Sequence, residues 1–345
     1  MLLPLQSRLL GEDWNRLVEL RGIWKFEIGD NLLWADPQFD DSKWEDIFVP
    51  AAWEDEGYPG YDGYAWYRKT FRIDKTHKGK AIYLRLGYVD DVDEVYLNGH
   101  FLAFSGSFPP HYQTSYQYEH IYYIPEEYLN FSGDNLLAVR IYDEEISGGI
   151  IDGKIGLYEL KNYLYPDLNF QGKWKFQAGD NEQWRVETFN DSSWDSVYVP
   201  GYWETQGYKD YDGFGWYRYE FKIPDNLKGK KLILLLGRID DLDETYLNGH
   251  RIGKTGHIEN EPSRISLDNY YTEMRAYFIP GEKIYQDSLN TLAVRVYDGM
   301  LHGGIYDGPV GIVTREKYLE WQATLDSEKK KFRNLLDFIF PDWNN

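Results

Sequence analysis

The chain has 345 residues, with 37 Lys or Arg against 57 Asp or Glu, a formal charge of −20. A field of that sign repels phosphate backbones and anionic bilayers, which argues against nucleic acid as a partner. No stretch approaches the roughly 18 uninterrupted apolar residues a membrane-spanning helix needs.

Cysteine is absent, which removes disulfides, thiolate metal sites and cysteine nucleophiles together. Aromatic residues make up 18% of the chain, more than two ordinary cores require, and sugar-binding surfaces are one use for the excess. The opening MLLPLQSRLL is broken by Pro4 and Arg8 and does not read as the apolar core of a signal peptide. The compartment stays open: extracellular or periplasmic if an export signal has been removed, cytoplasmic otherwise.

The chain is written twice. Residues 61–73, YDGYAWYRKTFRI, match residues 211–223, YDGFGWYRYEFKI, at 8 of 13 positions, and residues 87–100 match residues 237–250 at 10 of 14. The offset is 150 from Trp24/Trp174 to Asn98/Asn248, then 155 at Pro125/Pro280, Arg140/Arg295 and Asp143/Asp298. A period near 150 is domain duplication and not a solenoid repeat. The expected division is an N-terminal segment 1–20, a first domain 21–160, a short apolar linker 161–170, a second domain 171–317 and a C-terminal helix 318–345.

In chain order each copy reads as antiparallel β. KAIYLRLGYVD alternates Ile82, Leu84 and Leu86 with Tyr83 and Arg85. Asn98-Gly99 and Asn248-Gly249 sit between strand-like runs and predict type I′ hairpin turns. NLLAVRIYD then places Leu137, Val139 and Ile141 on one face. Seven or eight such strands per copy, with no long helical period, predict an all-β fold of two tandem jelly-roll β-sandwiches. From Arg315 to Phe340, Tyr318, Trp321, Leu325, Phe332, Leu335, Leu336 and Ile339 recur mostly at steps of three and four, an amphipathic helix. It docks on its own sandwich or, alternatively, serves a second copy or a partner.

The motifs FDDSKW and PAAW (39–44, 50–53), G-x-x-W-Y-R-x-x-F (63–71), DEVYLNG (93–99) and GDNLLAVR (133–140), with their counterparts in the second copy, resemble the sugar-binding domain of glycoside hydrolase family 2, the β-galactosidase-type module. The resemblance covers about 290 of the 345 residues. It implies a galactose-binding-like jelly roll. In that family the catalytic glutamates lie on a separate TIM barrel, which needs about 250 residues and does not fit in what remains here. The sequence departs from the family pattern in carrying two copies and in following them with a helix.

Four constellations are candidates for function. The first is the aromatic and acidic loop, with Trp53, Tyr61, Asp62, Trp66 and Arg68 repeated as Trp203, Tyr211, Asp212, Trp216 and Arg218. Flat rings beside hydrogen-bonding groups suit a pyranose, although the same rings could plug the end of the sandwich. In the second, the acidic runs Asp90, Asp91, Asp93, Glu94 and Asp240, Asp241, Asp243, Glu244 could bind calcium, but edge-strand charge and turn chemistry account for them more simply. The third is the Gly-Gly loop: Asp143 and Asp152, repeated as Asp298 and Asp307, could converge on hydroxyls or a cation, while the glycines at 148, 149, 303 and 304 also suit tight loops. The fourth is the divergent stretch Phe108–Tyr123 and Ile258–Phe278, with Tyr112, Tyr116 and Tyr118 in one copy and Tyr270, Tyr271 and Tyr277 in the other, where specificity would reside.

The expected function is non-catalytic saccharide recognition, alone or beside a separate glycoside hydrolase. The alternatives are a glycoside hydrolase using loop carboxylates such as Asp143 and Asp152, or a structural assembly domain. The expected partner is an oligo- or polysaccharide, with a separate glycoside hydrolase and a second copy of the chain as further candidates. No cofactor is expected apart from the structural calcium left open above.

Overall fold

Residues 14–258 and 269–339 are described by a computed structural model. The first part of the expected N-terminal segment, the centre of the stretch Ile258–Phe278 and the helix end at Phe340 lie outside the described residues.

The first copy places β1 (Trp14–Glu19), β2 (Gly22–Ile28), β3 (Glu45–Val49), β4 (Gly63–Phe71), β5 (Ile82–Asp90), β6 (Val92–Leu97), β7 (His100–Ser105), β8 (Glu119–Ile124), β9 (Asn135–Asp143), β10 (Gly149–Asp152) and β11 (Gly156–Leu160) in two antiparallel sheets. One sheet runs β3-β2-β4-β9-β6-β7. The other centres on β5, flanked by β8 on one side and by β10 and β11 on the other, with β1 outside β11.

The second copy repeats the plan with β12 (Leu168–Asn169), β13 (Gly172–Ala178), β14 (Asp195–Val199), β15 (Gly213–Phe221), β16 (Leu232–Asp240), β17 (Leu242–Leu247), β18 (His250–Thr255), β19 (Met274–Ile279), β20 (Asn290–Asp298) and β21 (Gly304–Thr314). Its sheets run β14-β13-β15-β20-β17-β18 and β12-β21-β16-β19, so β21 does the work of β10 and β11 together. The expected pair of sandwiches is what the chain forms.

Inner-face residues at period two fill each core. Trp24, Phe26, Tyr67, Leu84, Leu86, Val139 and Ile141 pack in the first, and Trp174, Phe176, Tyr217, Leu234, Leu236, Val294 and Val296 in the second. Both predicted hairpin turns form, with φ of 52° and 81° at Asn98 and Gly99 and of 49° and 77° at Asn248 and Gly249. The turn asparagine also ties the sheet together: Asn98 Nδ2 donates to Asn135 Oδ1 at 2.9 Å, and the Leu136 amide donates back to Asn98 Oδ1 at 2.8 Å.

The acidic runs do not sit on an edge. β6 lies between β9 and β7, and β17 between β20 and β18. The members within the strands are buried and paired: Asp93 with His120 and Tyr122, and Asp243 with Arg275 and Tyr277. Edge protection is therefore not their role.

Helix α1 (Arg315–Ile339) follows β21 directly. Tyr318 and Trp321 pack on Leu164, Ile233, Leu235 and Val313, and the Trp321 indole N–H donates to the Asn162 carbonyl at 2.7 Å. Its first turns thus dock on the second sandwich. Among the described residues no helix is long and apolar enough to cross a membrane.

Candidate ligand site at the sandwich mouth

The tryptophans of the aromatic loop are not ligand platforms. Trp53, Trp66, Trp203 and Trp216 are all 0% exposed. Trp53 lies in the main core, its indole N–H donating to the Tyr61 carbonyl at 2.9 Å, while the Tyr61 hydroxyl donates to the Tyr64 carbonyl at 2.7 Å. Trp203 and Tyr211 repeat these bonds.

Strand β4 buries both of its faces. Tyr67 and Phe71 enter the main core, and Trp66 enters a smaller cluster with Trp34, Phe39, Trp44 and Tyr96. Alternation alone left one face for a ligand, but the loop carrying FDDSKW folds over that face and fills it.

Arg68 fixes this loop. It is 3% exposed, donates from Nε to Asp41 Oδ2 at 2.7 Å, and caps the carbonyls of Trp34, Asp36 and Phe39. Arg218 does the same with Asp191 and the carbonyls of Trp184 and Val186. The expected roles of Trp53, Trp66, Arg68, Trp203, Trp216 and Arg218 in ligand binding are therefore corrected: the shared motif is a staple for its own framework.

The Gly-Gly loop is also explained by packing. A Cβ on Gly148 would lie 2.0 Å from the Trp53 ring, and one on Gly303 2.1 Å from Trp203. The carboxylates flanking the loop do not converge. Asp152 is exposed and, among the described residues, accepts from the neighbouring Gly153 amide. Asp307 turns to the other sandwich, accepting from the Tyr83 hydroxyl at 2.7 Å and pairing with Arg238. The expected meetings of Asp143 with Asp152 and of Asp298 with Asp307 do not occur.

Asp143 meets Asp90 and Asp91 instead, and Asp298 meets Asp240 and Asp241, with ligand-capable oxygens all within 4.8 Å in each group. The acids arrive from the end of β5, the start of β6 and the end of β9, which the register brings to the same end of the sandwich. Asp91 accepts from Thr114 Oγ1 at 2.6 Å and from the Glu144 amide at 3.1 Å. Burial opposes its charge, but these bonds and the Tyr112 hydroxyl hold its carboxyl below the usual range. Burial and the neighbouring Asp91 push Asp90 up. Asp143 rises to about 7 through burial and the charges of Asp91, Asp62 and Glu54. In the second copy burial carries Asp298 to about 8 and Glu204 to about 9.

A rim of rings surrounds the first cluster. Tyr142 lies 4.8 Å from Tyr64 and 5.8 Å from Tyr112 between ring centroids, and the Arg140 guanidinium lies over Phe108 and Tyr64 at 4.3 and 4.9 Å. All four rings are half-buried, and Asp62 is exposed beside them. The divergent stretch pointed to Tyr112. The same stretch begins at Phe108, whereas Tyr64 and Tyr142 lie outside it, although Tyr142 directly precedes Asp143 and Tyr64 follows Gly63 in the motif. In the second copy Phe214, Tyr297 and Arg295 keep the equivalent arrangement, with Asp212 exposed beside them.

Residues 29–146, which include all of this first mouth except the Gly-Gly loop, match the family model described as the β-galactosidase second all-beta domain. The first sandwich is thus similar to that all-β domain of the β-galactosidases. The module pair is 32% identical over 136 residues to β-galactosidase BoGH2A of Bacteroides ovatus, a match covering 35% of this chain and 15% of that protein. It is 33% identical over 173 residues to a putative β-glucuronidase of Formosa agariphila, covering 46% of this chain and 15% of that one. A solved β-glucuronidase structure from Bacteroides uniformis aligns with 84% of the chain and 28% of its own length, at 17% identity and a TM-score of 0.36. The chain thus spans a small part of the length of the relatives it matches.

Proposed function

We propose that the tandem modules recognise saccharides without cleaving glycosidic bonds. The observation that carries this reading is the rim of the first mouth, where the half-buried rings of Tyr64, Tyr112 and Tyr142 stand beside the exposed Asp62 carboxylate. A pyranose presents an apolar C–H face to such rings and hydroxyls to such an acceptor. The names of the relatives, β-galactosidases and β-glucuronidases, agree with a saccharide ligand. Asp143 and Asp298, the carboxylates nearest in type to a general acid, are fully buried and present no surface to a glycosidic bond.

The test is calorimetric titration of the purified chain with galactosides, glucuronides and their oligosaccharides, with Tyr142→Ala and Tyr112→Ala as variants. Binding should be weak, as for many single sugar sites, and should fall about tenfold in each variant, the worth of one ring contact. Release of reducing sugar or aryl alcohol by the pure chain, or affinity unchanged in both variants, overturns the reading.

A further inference from the structure

We propose that each sandwich mouth holds one hard divalent cation of the calcium class, between Asp90, Asp91 and Asp143 in the first copy and between Asp240, Asp241 and Asp298 in the second. This does not depend on the saccharide reading. Three carboxylates gathered at one point are not by themselves a site, and what makes them one is the state of the third member. Asp143 is 0% exposed, and neither of its carboxylate oxygens has a hydrogen-bond partner. Asp298 is likewise 0% exposed, and its Oδ2 has none. An uncompensated buried carboxylate is expensive, and this cost recurs at the same place in both copies.

The protein's own charges do not meet the need. Among the described residues no Lys or Arg forms an ion pair with any of the six aspartates, whereas the buried Asp93, Glu94, Asp243 and Glu244 nearby all have cationic or histidine partners. One orphaned oxygen of Asp143 lies within 4.8 Å of a carboxylate oxygen from each of Asp90 and Asp91. Asp91 keeps lone pairs in spite of its bonds to Thr114 and Glu144, since each carboxylate oxygen carries two.

The donor set selects the ion. It is all oxygen and anionic, with no histidine or cysteine, which suits calcium and not zinc. Calcium takes six to eight oxygens in flexible geometry, which a set of three carboxylates completed by water suits better than magnesium's strict octahedron. Asp90 and Asp240 are only half-buried, which leaves a side for entry and for water to complete the coordination.

The experiment uses the full chain, stripped with chelator and dialysed against calcium, with ion content measured at equilibrium and terbium luminescence as a second readout. Tyr112, whose hydroxyl bonds Asp91, would sensitise terbium in the first site. Two ions per chain are expected, with one lost in Asp143→Asn, the other in Asp298→Asn, and a rise in the melting temperature on adding calcium that shrinks in each variant. If either variant fails to fold, the half-buried Asp90→Asn and Asp240→Asn replace it and should weaken their own site at least tenfold. No ion bound in millimolar calcium overturns the proposal, as does a stoichiometry unmoved by these substitutions. An Asp143→Asn chain that melts higher than the wild type and is indifferent to calcium would show that a proton holds the cluster together instead.

Discussion

His302 of the second module stacks on Phe104 of the first, with ring centroids 4.2 Å apart, and its Nε2–H donates to the Phe104 carbonyl at 3.2 Å. The contact joins the Gly-Gly loop of one sandwich to β7 of the other. Tyr202 closes the cluster at 5.0 Å from His302 and 6.2 Å from Phe104.

Burial lowers the His302 pKa to about 4, the Phe104 carbonyl and Asp93 pulling the other way and His120 adding to the depression. The unfolded imidazole titrates near its ordinary value of 6.5, so between about pH 6.5 and 4 the unfolded chain binds a proton that the folded chain does not. Stability should therefore rise with pH across that window and be lost as pH falls through it, by as much as about 1.4 kcal/mol per pH unit from this one group. Melting curves from pH 4 to 7 should show a shallower slope in His302→Phe, which keeps the ring stack. An unchanged slope would mean that His302 is protonated in the fold.

Gly148→Ala and Gly303→Ala should each cost about 3 kcal/mol, because the added methyl group overlaps a fully buried indole that has no room to move. For modules of this size that is a drop of roughly 6–12 °C in melting temperature. Alanine at the exposed Gly57 or Gly207 is a poor control, since both glycines have φ above 100°. Gly281, with open space around it and no positive φ, is the proper one and should change little. Calorimetry of the three variants checks the ranking.

The fold was legible because the features that repeat are framework. The Asn-Gly turns, the period-two strands and the W-Y-R and F-D-D-S-x-W motifs recur because each has a partner within its own copy: Asn98 with Asn135, and Arg68 with Asp41. The same recurrence hides the site. Trp53 and Trp66 look like a sugar platform by type and spacing, yet they recur because the core needs them. Asp143 stands out in the sequence as a partner for Asp152, but the acids it meets, Asp90 and Asp91, lie more than fifty residues away in sequence and reach it only through the pairing of β5, β6 and β9. The rim rings come partly from the stretch where the copies diverge, and no local pattern says which of its tyrosines turns toward the mouth.

The Arg68 staple predicts a specific penalty. Asp41→Ala leaves a buried guanidinium with carbonyl partners only, and should destabilise by about 2–3 kcal/mol, with Asp191→Ala matching it in the second module. Lysine at 68 should not rescue the fold, since an ammonium point charge cannot fork to Asp41 and to three carbonyls at once. Denaturant midpoints of Asp41→Ala, Asp191→Ala and Arg68→Lys measure this. Near wild-type stability in Arg68→Lys would show that charge, and not the fork, holds the loop.

Tyr83→Phe probes whether the modules unfold together. Tyr83 is 4% exposed, and its hydroxyl reaches Asp307 in the other module at 2.7 Å. Asp307 is also held by Arg238 and by the Gly308 amide at 2.8 Å, so losing the phenol leaves its carboxylate satisfied and removes little besides the bridge between modules. The expected loss is about 1.5 kcal/mol of coupling, the low end of the net worth of one hydrogen bond to a charged group. Calorimetry should show this as a broadened or split transition, while the ion stoichiometry at the two mouths stays the same. A single sharp transition that merely shifts down would mean that the aromatic contacts, with His302 on Phe104 and Tyr128 on Tyr198, suffice to hold the two modules as one cooperative unit.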